Sequence, residues 1–195
     1  MERPPCSNCG ETAIEVAVTI SAQSMAIATA EAARAPGGQE RTWEMRWQIA
    51  QDQLNRLLAS RSEPLSADAI HAAHTDLQAF YIQTYHIKDS LRAASATTRI
   101  SERTIENEIT NNPDLALLAD LANLDKHYRL SKKTRSGDAP KIVSVRGISS
   151  SRGTPPNSWR LEVAIEHNGQ RLDGLDVAKR SIAAWRSALQ RWNLK

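Results

Sequence analysis

From residue 42 onward, apolar positions recur at helical spacing. Trp43, Trp47, Ile49–Ala50, Leu54 and Leu57–Leu58 follow at helical spacing behind Thr42, a residue suited to cap a helix. The pattern predicts a helix over 43–60, ended at Ser62–Pro64. Ser66 opens the next one, with Asp68 in its first turn. Ile70, Ala73, Leu77, Phe80, Tyr81, Ile87 and Leu91 carry that helix to about Ala94. A short helix is expected near 101–110. Asn112 then caps a helix with Pro113 at its first position, and Leu115, Leu117, Leu118, Leu121, Leu124 and Tyr128 extend it to about Leu130.

The period changes after Gly137. Ile142, Val143 and Val145 read as a strand. Leu161, Val163 and Ile165 alternate with polar residues, and Asn168-Gly169 supplies a tight hairpin turn before a short return strand over Gln170–Asp173. Asp176 is expected to cap a last helix, whose Ala178, Ile182, Trp185, Leu189 and Trp192 form one stripe. Ahead of all this, Ile14, Val16, Val18 and Ile20 alternate as a strand would, while Ala28–Ala35 favours helix. The expected fold is mainly α: a bundle of about four helices with a C-terminal β-hairpin and a closing helix, plus either a short N-terminal β extension or an alanine-rich helix. Residues 1–40 form an N-terminal extension. Residues 41–195 form the helical domain, including the hairpin over 141–173.

Composition narrows the class. The chain has 195 residues, is 41% hydrophobic, and holds one Phe and five Trp, so its core must lean on Leu, Ile, Ala and Trp. Trp43, Trp47, Trp185 and Trp192 lie on apolar helix faces and read as core, or as a dimer seam. No apolar run reaches the ~18 residues that span a bilayer, and Met1–Gly10 is not built like a secretory signal. With only two cysteines, the expected setting is a reducing, cytoplasmic one without a membrane partner. Cys6 and Cys9 make half of a zinc knuckle. His71 and His74 would be needed to complete four ligands, so simple thiols with neither metal nor cofactor are the expectation. Glycine-rich phosphate loops, Gly-x-Ser-x-Gly and His-Glu-x-x-His are all absent from the sequence.

Charge is uneven. The net charge is +3, yet 129–160 carries eight basic residues (Arg129, Lys132, Lys133, Arg135, Lys141, Arg146, Arg152 and Arg160) against Asp138 alone, a local excess of seven. Such an excess suits a phosphate-rich partner, or else a solvated basic loop.

Two polar groups interrupt the apolar faces. Asp120, Asn123 and His127 fall within about 60° on an ideal helix, beside the leucine stripe. His86 and Asp89 stand one turn apart on the preceding long helix, with Tyr85 and Lys88 adjacent. Antiparallel packing would bring the two groups together. The result would be either a histidine poised by a carboxylate for acid–base work or a buried network that fixes helix register.

Phe80–Asp89 and Leu118–His127 resemble a group of small bacterial helical proteins that in turn resemble the HEPN superfamily. The resemblance spans about 75–130. It implies an up-and-down bundle, often dimeric. It also implies metal-independent ribonuclease activity in toxin–antitoxin or anti-phage systems, or RNA binding without cleavage. The motif is an Arg, a polar residue, and a His four to six positions on. His127 and Asn123 match its His and polar positions, but Asp120, Leu121 and Ala122 fill the window of the Arg. Arg92, Arg99 or Arg129 would have to supply that charge. The one literal match, Arg160 to His167, lies on a predicted strand. The resemblance makes His127, His86, Asp120, Asn123 and Asp89 the catalytic candidates. The basic run makes Arg129, Lys132, Lys133 and Arg135 the nucleic-acid contacts. The competing expectation is a non-enzymatic interaction protein whose tryptophan stripes bury a cognate partner or a second copy.

Overall fold

The computed structural model describes residues 13–15, 41–59, 61–124, 134–149 and 158–194. It is mainly helical, with one small antiparallel sheet. In chain order the elements are β1 (Ala13–Glu15), α1 (Trp43–Leu58), α2 (Ala67–Tyr85), α3 (Ile87–Ala93), α4 (Ser95–Thr98), α5 (Glu102–Asn111), α6 (Pro113–Leu124), β2 (Lys141–Ser149), β3 (Trp159–His167), β4 (Gln170–Asp173) and α7 (Gly174–Arg191). No described helix is long and apolar enough to cross a membrane.

The caps explain the helix starts. Thr42 Oγ1 accepts from Met45 N–H at 3.3 Å, Ser66 Oγ from Ala69 N–H at 3.1 Å, and Ser101 Oγ from Thr104 N–H at 3.1 Å. Asn112 Oδ1 takes Asp114 N–H and Leu115 N–H, with Pro113 pre-set at the first helical position. One expected cap moves. Asp173, not Asp176, caps α7, accepting Asp176 N–H at 3.0 Å, because the hairpin hands the chain directly into the helix. The single helix expected over 66–94 is two, broken at His86. The end of α6 beyond Leu124 lies outside the described residues.

The sheet runs β1-β2-β3-β4, each pair antiparallel, so the N-terminal extension contributes an edge strand. β2 is longer than its apolar run suggested and carries a register shift between Ile142 and Ser144. The Asn168-Gly169 turn sits at φ 49° and 72°, the left-handed pair that a two-residue hairpin needs. Trp159, Leu161, Val163 and Ile165 are buried on the face that α2 and α7 cover. That face is tight. A Cβ on Gly147 would overlap Leu65 Cδ1 and stand 3.2 Å from both Ile70 Cγ1 and Trp159 Cε3. One core joins the two layers. Trp47, Phe80, Leu77, Leu118, Trp159 and Trp185 are all fully buried in it, and burial of each such side chain contributes about 1.5–3 kcal/mol.

Candidate functional site

His86 stands at the junction of α2 and α3, one turn before Asp89. His86 Nδ1 lies 2.6 Å from Asp89 Oδ2, both side chains part-exposed. The His86 hydrogen bond holds the Asp89 carboxyl below its ordinary range, against burial, which acts the other way. Lys88, next along, sits 4.5 Å over the Tyr85 ring and donates to Glu106 Oε1 at 3.3 Å. Burial would lower the Lys88 ammonium, but the Tyr85 hydrogen bond and the charges of Tyr85, Glu106 and Asp89 raise it on balance.

Glu106, on α5, is the hinge of the cluster. Its other oxygen accepts from Arg135 Nη2 at 2.7 Å, and Arg135 Nη1 reaches Thr110 Oγ1. Burial alone would raise Glu106; the Arg135 hydrogen bond and the Lys88 charge pull it below its usual range. Arg135 is raised by the same partner against its own burial.

Arg135 then leads to Asp120. This carboxylate is 3% exposed on α6, and three donors converge on it. Arg135 N–H lies 3.0 Å from each oxygen, while Ser136 N–H and Ser136 Oγ–H reach Oδ2 at 2.8 and 2.6 Å. A buried carboxylate needs such donors to be tolerated at all. Ser136 Oγ also lies 2.8 Å from His167 Nε2, at the end of β3. Thus Asp120 is linked to Lys88 through Arg135 and Glu106, while the His86–Asp89 pair stands beside that chain with a hydrogen bond of its own.

The network brings Ser136, His167 and Asp120 together, but not as a nucleophilic triad. In a triad the carboxylate orients the histidine through Nδ1. Here Asp120 meets the serine itself, and the adjacent N–H groups that would form an oxyanion hole are spent on Asp120. The arrangement is a serine gripped from both sides.

The remaining sequence candidates separate. Asn123 is half-buried and makes no side-chain hydrogen bond to a described residue. His127, Arg129, Lys132 and Lys133 lie outside the described residues. Arg160 and His167 do not form an Arg–His site. They are seven residues apart on β3, hence on opposite faces and roughly 23 Å apart at 3.3 Å per residue. Arg92 is taken up by Glu102 at 3.0 Å. Cys6 and Cys9 also lie outside the described residues; His71 is exposed and His74 buried, and no described cluster of three or more acidic, His or Cys side chains would hold a metal. Sequence reasoning missed Glu106, Ser136 and Asn168. Only Asn168 left a signal, and it pointed to the turn rather than to the network.

Comparison with known proteins finds no matching family model, no matching curated protein and no matching solved structure.

Proposed function

We propose that this protein binds RNA through its basic segment, in the manner of a HEPN-like protein that holds RNA without cutting it, within a defence or toxin module. One observation carries the reading. Arg135, two residues beyond Lys133 in sequence, is anchored through its N–H to the Asp120 carboxylate of α6. In the sequence, Arg129, Lys132 and Lys133 crowd just ahead of that anchored residue. Cations spaced this closely along the chain suit a phosphate backbone, which rewards several charges at once.

Two further facts weigh on the choice. Lys88, two residues from His86, is engaged by Glu106 and Tyr85, and Arg92 by Glu102, so among the described residues these two cations of α3 are committed elsewhere than to a phosphorane. Trp43, Trp47 and Trp185 are buried in the chain's own core and Trp192 is partly so, which weighs against tryptophan stripes as a partner surface.

The test is fluorescence anisotropy with a labelled single-stranded RNA across a salt series. For single strands the log–log slope is about −0.7 per phosphate engaged. Substituting Arg129, Lys132 and Lys133 by Ala should weaken binding and flatten the slope by about 2. Salt-independent binding, or none, refutes the proposal. RNA decay that disappears in His86→Ala or His127→Ala would replace binding with cleavage.

A further inference from the structure

We infer that a cleft between α1 and α2 binds a free α-amino acid with a small apolar side chain. Gln53, Arg56 and Leu57 line it from α1, Asp76 and Ala79 from α2, and Arg61 from the segment between the two helices. Spacings of three and four residues put each helix's contribution on one face. The cleft holds about 190 Å³. That is below the roughly 300–1,000 Å³ of sites for drug-sized ligands, so its occupant is small.

One wall is firmly built, yet its polar groups are under-used. Arg61 and Trp159 exchange backbone hydrogen bonds at 2.9 Å in both directions, and the Arg61 guanidinium lies 5.5 Å from the centre of the Trp159 ring. Trp159 Nε1 in turn donates to the Glu63 carbonyl at 3.0 Å. The ion pairs of Arg61 are long. Glu63 Oε1 and Asp76 Oδ2 each stand 3.4 Å away, against the roughly 2.7–2.9 Å of a good charge-assisted hydrogen bond. Arg61 Nε, and Oε1 of Gln53 on the same cleft, are buried with no hydrogen-bond partner among the described residues. Folded chains leave few such groups unpaired. Arg56 is exposed and forms no ion pair with a described residue.

The lining charges select the ligand. Phosphate, a dianion, would meet the Asp76 carboxylate, and a simple amine would meet two arginines. A zwitterion suits both signs. Its carboxylate pairs with Arg56 and Arg61 and its ammonium with Asp76, so one long Arg61–Asp76 contact gives way to shorter ones. Gln53 Oε1 takes a further ammonium proton once its amide turns to the cleft. Leu57 and Ala79 receive the apolar side chain. A free amino acid carries both charges on one carbon, whereas either terminus of a polypeptide carries only one.

Calorimetric titration of the full chain with L-alanine, L-valine and L-leucine tests this. Each is paired with its carboxylate-only and amine-only counterparts, propionate and ethylamine in the case of alanine. At least one amino acid should bind saturably at millimolar concentration, and about tenfold or more tighter than its counterparts. Arg56→Gln and Asp76→Asn alter exposed side chains, and thermal melts check that both variants fold. Each should weaken amino-acid binding about tenfold, the loss of one hydrogen bond to a charged group. Asp76→Asn should also bring the carboxylate-only counterpart closer to the amino acid in affinity, a change of preference that mere loosening of the fold would not produce. Absence of saturable binding by all three amino acids overturns the inference. So does equal binding of a one-charge counterpart to the wild type, which marks a plain ion site. Wild-type affinity in both variants overturns it too, by placing the binding elsewhere.

Discussion

His74 should give this protein an acid-labile step well above the carboxylate range. Its side chain is 2% exposed on α2, and its Nε2 has no hydrogen-bond partner among the described residues. Burial, with a smaller contribution from nearby His71, lowers its pKa from 6.5 to about 4. The unfolded chain therefore takes up a proton between those values that the folded chain refuses. Stability is full above pH 6.5 and is lost as pH falls toward about 4. At 1.36 kcal/mol per pH unit of separation, the whole loss is roughly 3 kcal/mol, of which about 2 kcal/mol is gone by about pH 5. For a domain of this length that corresponds to about 4–8 °C in melting temperature. Asp89 and Glu106, both held below their usual range, act in a separate window. Their contributions are present above their unfolded values and are lost only as pH falls below them. Thermal melts of wild type and His74→Leu at neutral pH and near pH 5 isolate the effect, because every other histidine cancels in the comparison. The wild type should lose about 2 kcal/mol more than the variant. Equal losses would show that the imidazole is protonated at no cost inside the core, and the reasoning would fail.

Two other substitutions probe the packing and the network. Gly147→Ala should destabilise by about 1–3 kcal/mol, read as a lower urea midpoint, since Ile70 and Trp159 are too deeply buried to retreat from a new methyl. Glu106→Gln removes the one charge that Lys88 and Arg135 share. The site is part-exposed, so the cost should be about 1 kcal/mol, and it should shrink at high salt as screening weakens the wild-type pairs.

The helices were legible because each carries its own evidence. Thr42, Ser66, Ser101 and Asn112 all cap where their side chains suggested, and the stripe Trp43, Trp47, Ala50, Leu54, Leu57 is buried as spaced. The turn was legible for a similar reason: two left-handed residues in a row nearly require Asn-Gly. The break at His86 was not legible. Ile87 and Leu91 continue the apolar pattern, so periodicity runs smoothly through a residue whose ψ of −5° ends one helix and starts another. The α7 cap was misplaced because two aspartates stand three apart, Asp173 and Asp176. The choice between them depends on where the sheet lets go of the chain.

The candidate site shows a deeper limit on reading charge from sequence. Lys88, Asp120 and Arg135 stood out by type and spacing, yet what joins Lys88 to Arg135 is Glu106, a surface-type residue on a helix between them. Paired charges also change the count. Of the eight basic residues over 129–160, Arg135 is bound to Glu106 and Arg146 to Glu162 across the strands, so these two add little field beyond their own pairs. Lys141 and Arg160, both exposed, lie at opposite ends of the β2–β3 ladder, beside Glu166 and Ile148 respectively. They are too dispersed to act with one another on a short stretch of backbone. Of the four that remain, Arg152 stands apart in the sequence, so for a phosphate chain the local excess reduces to Arg129, Lys132 and Lys133, crowded just ahead of the Asp120-anchored Arg135. The physical case for RNA rests on that concentration rather than on the total.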